Sequence, residues 1–135
     1  MTVKRISQVF LGLLALAFCK TGIEALFNPQ AVLANVGIDL TNTAALSSMR
    51  AVYGGMHLVF GLFCAWGIFK NQSAALLLVI LYTSGFVAGR VMSWAADGTP
   101  NGFVVTWLAT ETFSLVVCTT LFLLLHNQEQ RATIL

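Results

Sequence analysis

Seven side chains in this sequence have the types and spacing to do chemistry together: Arg50, Tyr53, His57, Arg90, Ser93, Asp97 and Glu111. Arg50, Tyr53 and His57 recur at three- and four-residue steps, as do Arg90, Ser93 and Asp97, so each set shares one face of a helix. An arginine suits bidentate holding of a carboxylate or phosphate, and Glu111 is an acid with which either arginine could pair. Tyr53 and His57 add a hydroxyl and an imidazole. The setting is what makes the set unusual. Arg90 falls within 74–96, a run of 23 mostly apolar residues, where about 20 suffice to cross a ~30 Å hydrocarbon core. It lies six residues from the end of that run, about 9 Å deep at ~1.5 Å per residue. An arginine there costs at least ~2.5 kcal/mol unless it finds partners or water.

Composition explains the setting. The chain has 135 residues, 58% hydrophobic and 9% charged, against roughly 25% charged in soluble domains. That excludes a soluble domain and leaves room for one membrane domain of about four spans. A net charge of +2 without a basic tract excludes nucleic acid as a partner. Cys19, Cys64 and Cys118 all sit in apolar runs, which reads as inert buried thiols rather than a disulfide framework.

The elements that must position the polar residues follow in order. Lys4 and Arg5 before an apolar run resemble a signal peptide, but Phe18 precedes Cys19 where a lipoprotein signal wants a small residue, and the run continues to Phe27. The first span is therefore read as retained, over 6–27. Asn28-Pro29 is an N-cap followed by a first helical position. It opens a short helix, 29–36, ending at Gly37. Its apolar side, Val32, Leu33 and Val36, suits the membrane interface; a lid over the bundle mouth is the other reading. Residues 39–48 read as polar loop, although Thr41 or Thr43 could cap an earlier start of the next helix.

Spans follow at 49–69, 74–96 and 103–125. Asp97-Gly98-Thr99-Pro100-Asn101-Gly102 is dense turn chemistry that makes the last two a tight hairpin. The last span ends at His126, before a polar tail with Glu129 and Arg131. The fold class expected is all-α, an integral-membrane up-down-up-down four-helix bundle with a short interfacial helix between spans one and two. Lys4, Arg5, Lys70 and Arg131 flank one side, so both termini are expected in the cytoplasm.

This topology puts every charge within a span in the same outer half. Across the hairpin Arg90 and Glu111 lie about 9 and 12 Å below the outer helix ends, level enough to pair. Lys20, Arg50 and Arg90 with Glu24, Asp97 and Glu111 then form a nearly neutral cluster. Gly54, Gly61 and Cys64 continue the Arg50 face, and Trp107, Thr110, Ser114 and Cys118 share a face with Glu111. Gly85, Gly89 and Ser93 form a small-xxx-small series that predicts close approach of a neighbouring helix.

Two readings fit. Either the charges bind helix to helix and nothing else, or they line an outward-facing pocket for an anionic amphiphile such as a lipid, its tail along Gly54, Gly61 and Gly85. Two arginines, a tyrosine and a histidine exceed what one structural pair needs, and intramembrane ionisable residues default to a functional hypothesis. His57 lacks further ligands at its depth and reads as a packing histidine, so no metal is expected. No cofactor or catalytic motif is present.

Arg50-Ala51-Val52-Tyr53-Gly54-Gly55, the pattern G-R-x-x-S-x-x-x-D-G-x-P over 89–100, and the lone Glu111 resemble a family of small bacterial four-helix inner-membrane proteins that is defined as a domain of unknown function. The resemblance covers nearly the whole chain. It implies a bacterial source, four spans, and matching roles for Arg50, Tyr53, Gly54, Gly55, Arg90, Asp97, Gly98 and Glu111; Lys20, Glu24 and His57 fall outside its pattern. It implies no activity.

Three functions compete. The first is a binding or accessory protein that holds the amphiphile, or docks a membrane complex or a second copy of itself. The second is a transporter similar to the small multidrug-resistance type, which needs a glutamate that exchanges protons; an Arg90 neighbour favours the charged carboxylate and works against this. The third is an enzyme similar to the four-helix glutathione-dependent type, with the arginines holding the peptide and Tyr53 activating a thiol, which nothing in the spacing requires.

Overall fold

In lipid a backbone group has no water to bond, so each apolar run must satisfy its own N–H and C=O groups as a helix. The computed structural model describes residues 3–134, without the side chains of Glu129 and of 131–134; the polar-tail residues Glu129 and Arg131 thus have side chains outside the described set. Six α-helices appear among the described residues: α1 Val3–Phe27, α2 Pro29–Ala34, α3 Thr43–Met49, α4 His57–Phe69, α5 Gln72–Asp97 and α6 Gly102–Ile134. A π-helical segment, Arg50–Met56, joins α3 to α4 without a break. Four stretches are long and apolar enough to cross a membrane: α1, the α3–π–α4 rod, α5, and α6 to Gln128. The chain is a multi-pass membrane protein, all-α, as its composition requires.

Caps fix most boundaries. Asn28, Asn42 and Asn71 each accept a hydrogen bond from the backbone N–H three residues on, at 3.2, 2.8 and 2.9 Å, filling orphan donors of α2, α3 and α5. Two boundaries differ from expectation. The polar stretch 39–48 is loop only as far as Asn42: that side chain caps a helix at Thr43, and the second span begins six residues early. At the other end α6 does not stop at His126. Nothing from His126 to Ile134 is Gly or Pro, so the helix runs on beyond the apolar part, with Gln130 Nε2 and His126 Nε2 2.9 Å apart.

Antiparallel neighbours pack in two pairs, α1 against the π segment and α4, and α5 against α6, with α4 meeting α5 between them. Gln8 Nε2 near the start of α1 donates to Ile68 O at the end of α4, 3.3 Å away, as an antiparallel pair requires. The core, Leu11, Ala15, Cys64, Ala75, Leu76, Val79, Cys118, Leu121 and Leu125, fills the half of the bundle nearer the chain ends. All three cysteines are free, and Cys64 and Cys118 are buried within that core. Toward the other end packing thins: from Ser84 to Phe113 no residue is buried.

Candidate functional site

That unfilled half holds a cavity of about 200 Å³, far above the roughly 10–15 Å³ that one water needs. Every element except α3 contributes to its wall. Leu14, Ala17, Phe18 and Thr21 come from α1, and Tyr53 and His57 from the π segment and the start of α4. Tyr82, Phe86 and Arg90 project from α5, spaced four residues apart and so on one face. Phe103, Trp107, Thr110, Glu111 and Ser114 come from α6. From α2 and the turn after it, Val32, Leu33 and Val36 face the cavity. Gln30 organises the strap behind α2, donating to Ile38 O and Asp39 Oδ1 and accepting from Leu40 N. Asn101 Nδ2, in the α5–α6 turn, donates to Asn35 O at 3.1 Å and ties the end of α2 to the hairpin.

Two polar pairs break the apolar wall. Arg90 Nε and Nη2 donate to Glu111 Oε2 and Oε1 at 2.7 and 3.0 Å, the bidentate geometry that pairs two planar groups best. The expected partnership is thus present, with side chains 24% and 12% exposed. The Arg90 guanidinium also lies 5.9 Å from the Phe86 ring centroid, within cation–π range. The second pair is Tyr82 and His57. Val52 O can only accept, so its 3.4 Å contact with His57 Nδ1 puts the proton there; Nε2 then accepts from the Tyr82 hydroxyl at 3.2 Å. Tyr53 stacks on His57 at 5.8 Å, and Phe18, Phe60 and Phe86 surround Tyr82.

The seven residues singled out by sequence therefore separate. Tyr53, His57, Arg90 and Glu111 line the cavity; Arg50, Ser93 and Asp97 do not. Arg50 is exposed and its Nε donates to Leu26 O at 3.0 Å, capping an orphan carbonyl at the end of α1. Ser93 donates to Asp97 Oδ2 at 2.9 Å on an exposed face. Lys20 and Glu24 form a surface pair at 3.6 Å. The single cluster of three cations and three anions does not exist, because these residues point around their helices in different directions.

The expected path for a tail along Gly54 and Gly61 is also closed. A Cβ on Gly61 would lie 2.9 Å from Cys19 N, and one on Gly54 2.7 Å from the Leu26 side chain, so these glycines serve helix contact. The close approach expected at Gly85 and Gly89 is absent, since a Cβ there meets nothing within 4 Å. Sequence reasoning missed Tyr82, Phe86 and Phe18, whose rings build the cavity. Their signal was present in the four-residue steps from Tyr82 through Phe86 to Arg90, hidden because aromatic residues on a membrane helix read equally as lipid-facing.

Among the described residues no group of three or more His, Cys, Asp or Glu side chains could hold a metal ion. No curated protein and no solved structure matches the chain. A family model matches the chain across residues 6–125, and the chain belongs to that family, described as Domain of unknown function (DUF4345).

Proposed function

We propose that this protein is a small membrane binding protein that admits the polar end of an amphiphilic molecule into the cavity beneath α2. The observation that carries this reading is a cavity between the spans whose mostly apolar and aromatic wall, broken by a few hydroxyls, brings together the Arg90–Glu111 and Tyr82–His57 pairs. A few convergent polar groups in a mostly apolar pocket are the pattern of a small-molecule site. A packed bundle needing only an ion pair would fill the surrounding space with side chains.

The anionic head expected from the sequence would meet Glu111 as well as Arg90. Two of the guanidinium's five N–H donors go to Glu111, whose charge offsets that of Arg90, while both on Nη1 and one on Nη2 stay outside the pair. The geometry therefore favours a head that both donates and accepts hydrogen bonds over one that carries a full negative charge. The transport reading has less support, since both Glu111 oxygens are taken up by Arg90 and no second acid stands in the cavity wall among the described residues. We place both termini in the cytoplasm of a bacterial cell, on the strength of Lys4, Arg5 and Lys70. External labelling of intact cells should reach a cysteine substituted at Thr99 and miss one at Gln72; the reverse would overturn that orientation.

The binding reading is tested by purifying the chain in mild detergent and identifying retained molecules by mass spectrometry. An amphiphile should accompany the wild type and be lost from Ala17→Phe, which fills the cavity from α1, without loss of thermal stability. Absence of any retained molecule, or equal retention by Ala17→Phe, would defeat the proposal.

A further inference from the structure

At the opposite end of the bundle a second, more polar cleft lies where α1 starts, α4 meets α5 and α6 leaves the apolar core. Its volume is about 470 Å³, and its wall includes Lys4, Gln8, Lys70, Gln72, Leu125 and Gln128. Among the described residues neither lysine is ion-paired and no acid lines the cleft. Gln8 and Gln72 both turn their amide nitrogens to Ile68 O, at 3.3 and 3.5 Å, which saturates that helix-end carbonyl. The consequence falls on Gln72: its Oε1 is buried and has no hydrogen-bond partner among the described residues. A buried acceptor of this kind calls for a donor.

We propose that this cleft is a binding site for the head of an anionic glycerophospholipid that carries a hydroxyl beyond its phosphate. Two uncompensated ammonium groups on flexible stems are suited to a phosphate at the membrane surface, where juxtamembrane basic residues attract anionic lipid. The buried Gln72 Oε1 accepts from the head's hydroxyl. Beside them Phe69 is 82% exposed, and the half-buried Ile68 offers further apolar surface to the glycerol and acyl chains. The site is independent of the cavity beneath α2, at the far end of the same helices, and stands or falls without it.

The test uses the full chain in mild detergent, titrated with phosphatidylglycerol, phosphatidic acid, phosphatidylcholine and inorganic phosphate, with bound lipid read by native mass spectrometry. Phosphatidylglycerol should bind tightest. The double variant Lys4→Gln/Lys70→Gln should weaken it about tenfold or more, to the level of phosphatidylcholine, from the usual attraction of two lysines to an anionic surface. Lys20→Gln, which removes a cation from the other end, should change nothing. Gln72→Met should weaken phosphatidylglycerol toward phosphatidic acid while leaving phosphatidic acid unchanged, which separates the hydroxyl contact from the charge. Equal binding of phosphatidylglycerol and phosphatidylcholine by the wild type, or a double variant that binds as the wild type does, would overturn the site. Inorganic phosphate binding as tightly as the lipid would overturn the lipid assignment.

Discussion

The two helix pairs of this bundle are joined by opposite means. Along α1 the partner helix comes backbone to backbone: a Cβ on Gly22 would lie 2.7 Å from Leu58 N, and one on Gly61 3.0 Å from Ala15 O. Between α5 and α6, in the half away from the chain ends, the link is made by long side chains, with Arg90 and Glu111 meeting end to end. Gly85 and Gly89, which carry the same small-residue spacing as a packing seam, face open space. Small residues in a membrane helix thus permit close approach without producing it. Where a charged pair spans the gap, the helices need not close, and the space beside the pair becomes the cavity.

Breaking the polar seam should have the largest effect. Arg90→Ala and Glu111→Ala each leave a partly buried charge without its partner, a loss of about 3–5 kcal/mol. The double variant removes both charges, so its destabilisation should fall short of the sum. Thermal unfolding of the four species in detergent checks this, and strict additivity would mean that the observed pair carries no coupling energy. The apolar seam comes next. Gly22→Ala and Gly61→Ala push a methyl into backbone and should each cost about 1–3 kcal/mol by overpacking. Gly85→Ala and Gly89→Ala, with room for the methyl and better helix propensity, should leave the unfolding temperature level or raise it. If all four behaved alike, the contrast between the seams would be lost.

How far this was readable from sequence depends on what each signal measures. Hydropathy and length gave the four spans, and turn residues gave the hairpin at 97–102, because lipid leaves an apolar chain no alternative to helix. Depth along a helix put Arg90 level with Glu111. Direction around the helix was harder. A three- and four-residue pattern identifies a face but not what that face meets, so Arg50 looked aligned with Tyr53 and His57 when only the latter two reach the cavity. The π segment at Arg50–Met56 is part of the reason: an i→i+5 turn adds a residue to the helical cycle and shifts the facing of everything before it. Its sequence, RAVYGGM, carries no periodicity that distinguishes it from an α-helix.

Arg50 supplies the smallest predicted loss of stability and the sharpest use of the comparison. It belongs to the α1 seam by contact, through its 3.0 Å bond to Leu26 O, although its charge makes it look like a member of the polar site. An exposed arginine on a helix-end carbonyl contributes about 0.5–1.5 kcal/mol, the net worth of one ordinary hydrogen bond. Arg50→Gln should therefore lower the unfolding temperature slightly and leave retention of a cavity-bound amphiphile unchanged. Tyr82→Phe, by contrast, removes the hydroxyl that bonds His57 Nε2 and should weaken retention with a comparably small loss of stability. Both effects are read on the same two instruments, a melting curve and a mass spectrum. If Arg50→Gln lost the ligand while Tyr82→Phe kept it, the charge at the mouth would govern binding, and the aromatic pocket would be only a gap in the packing.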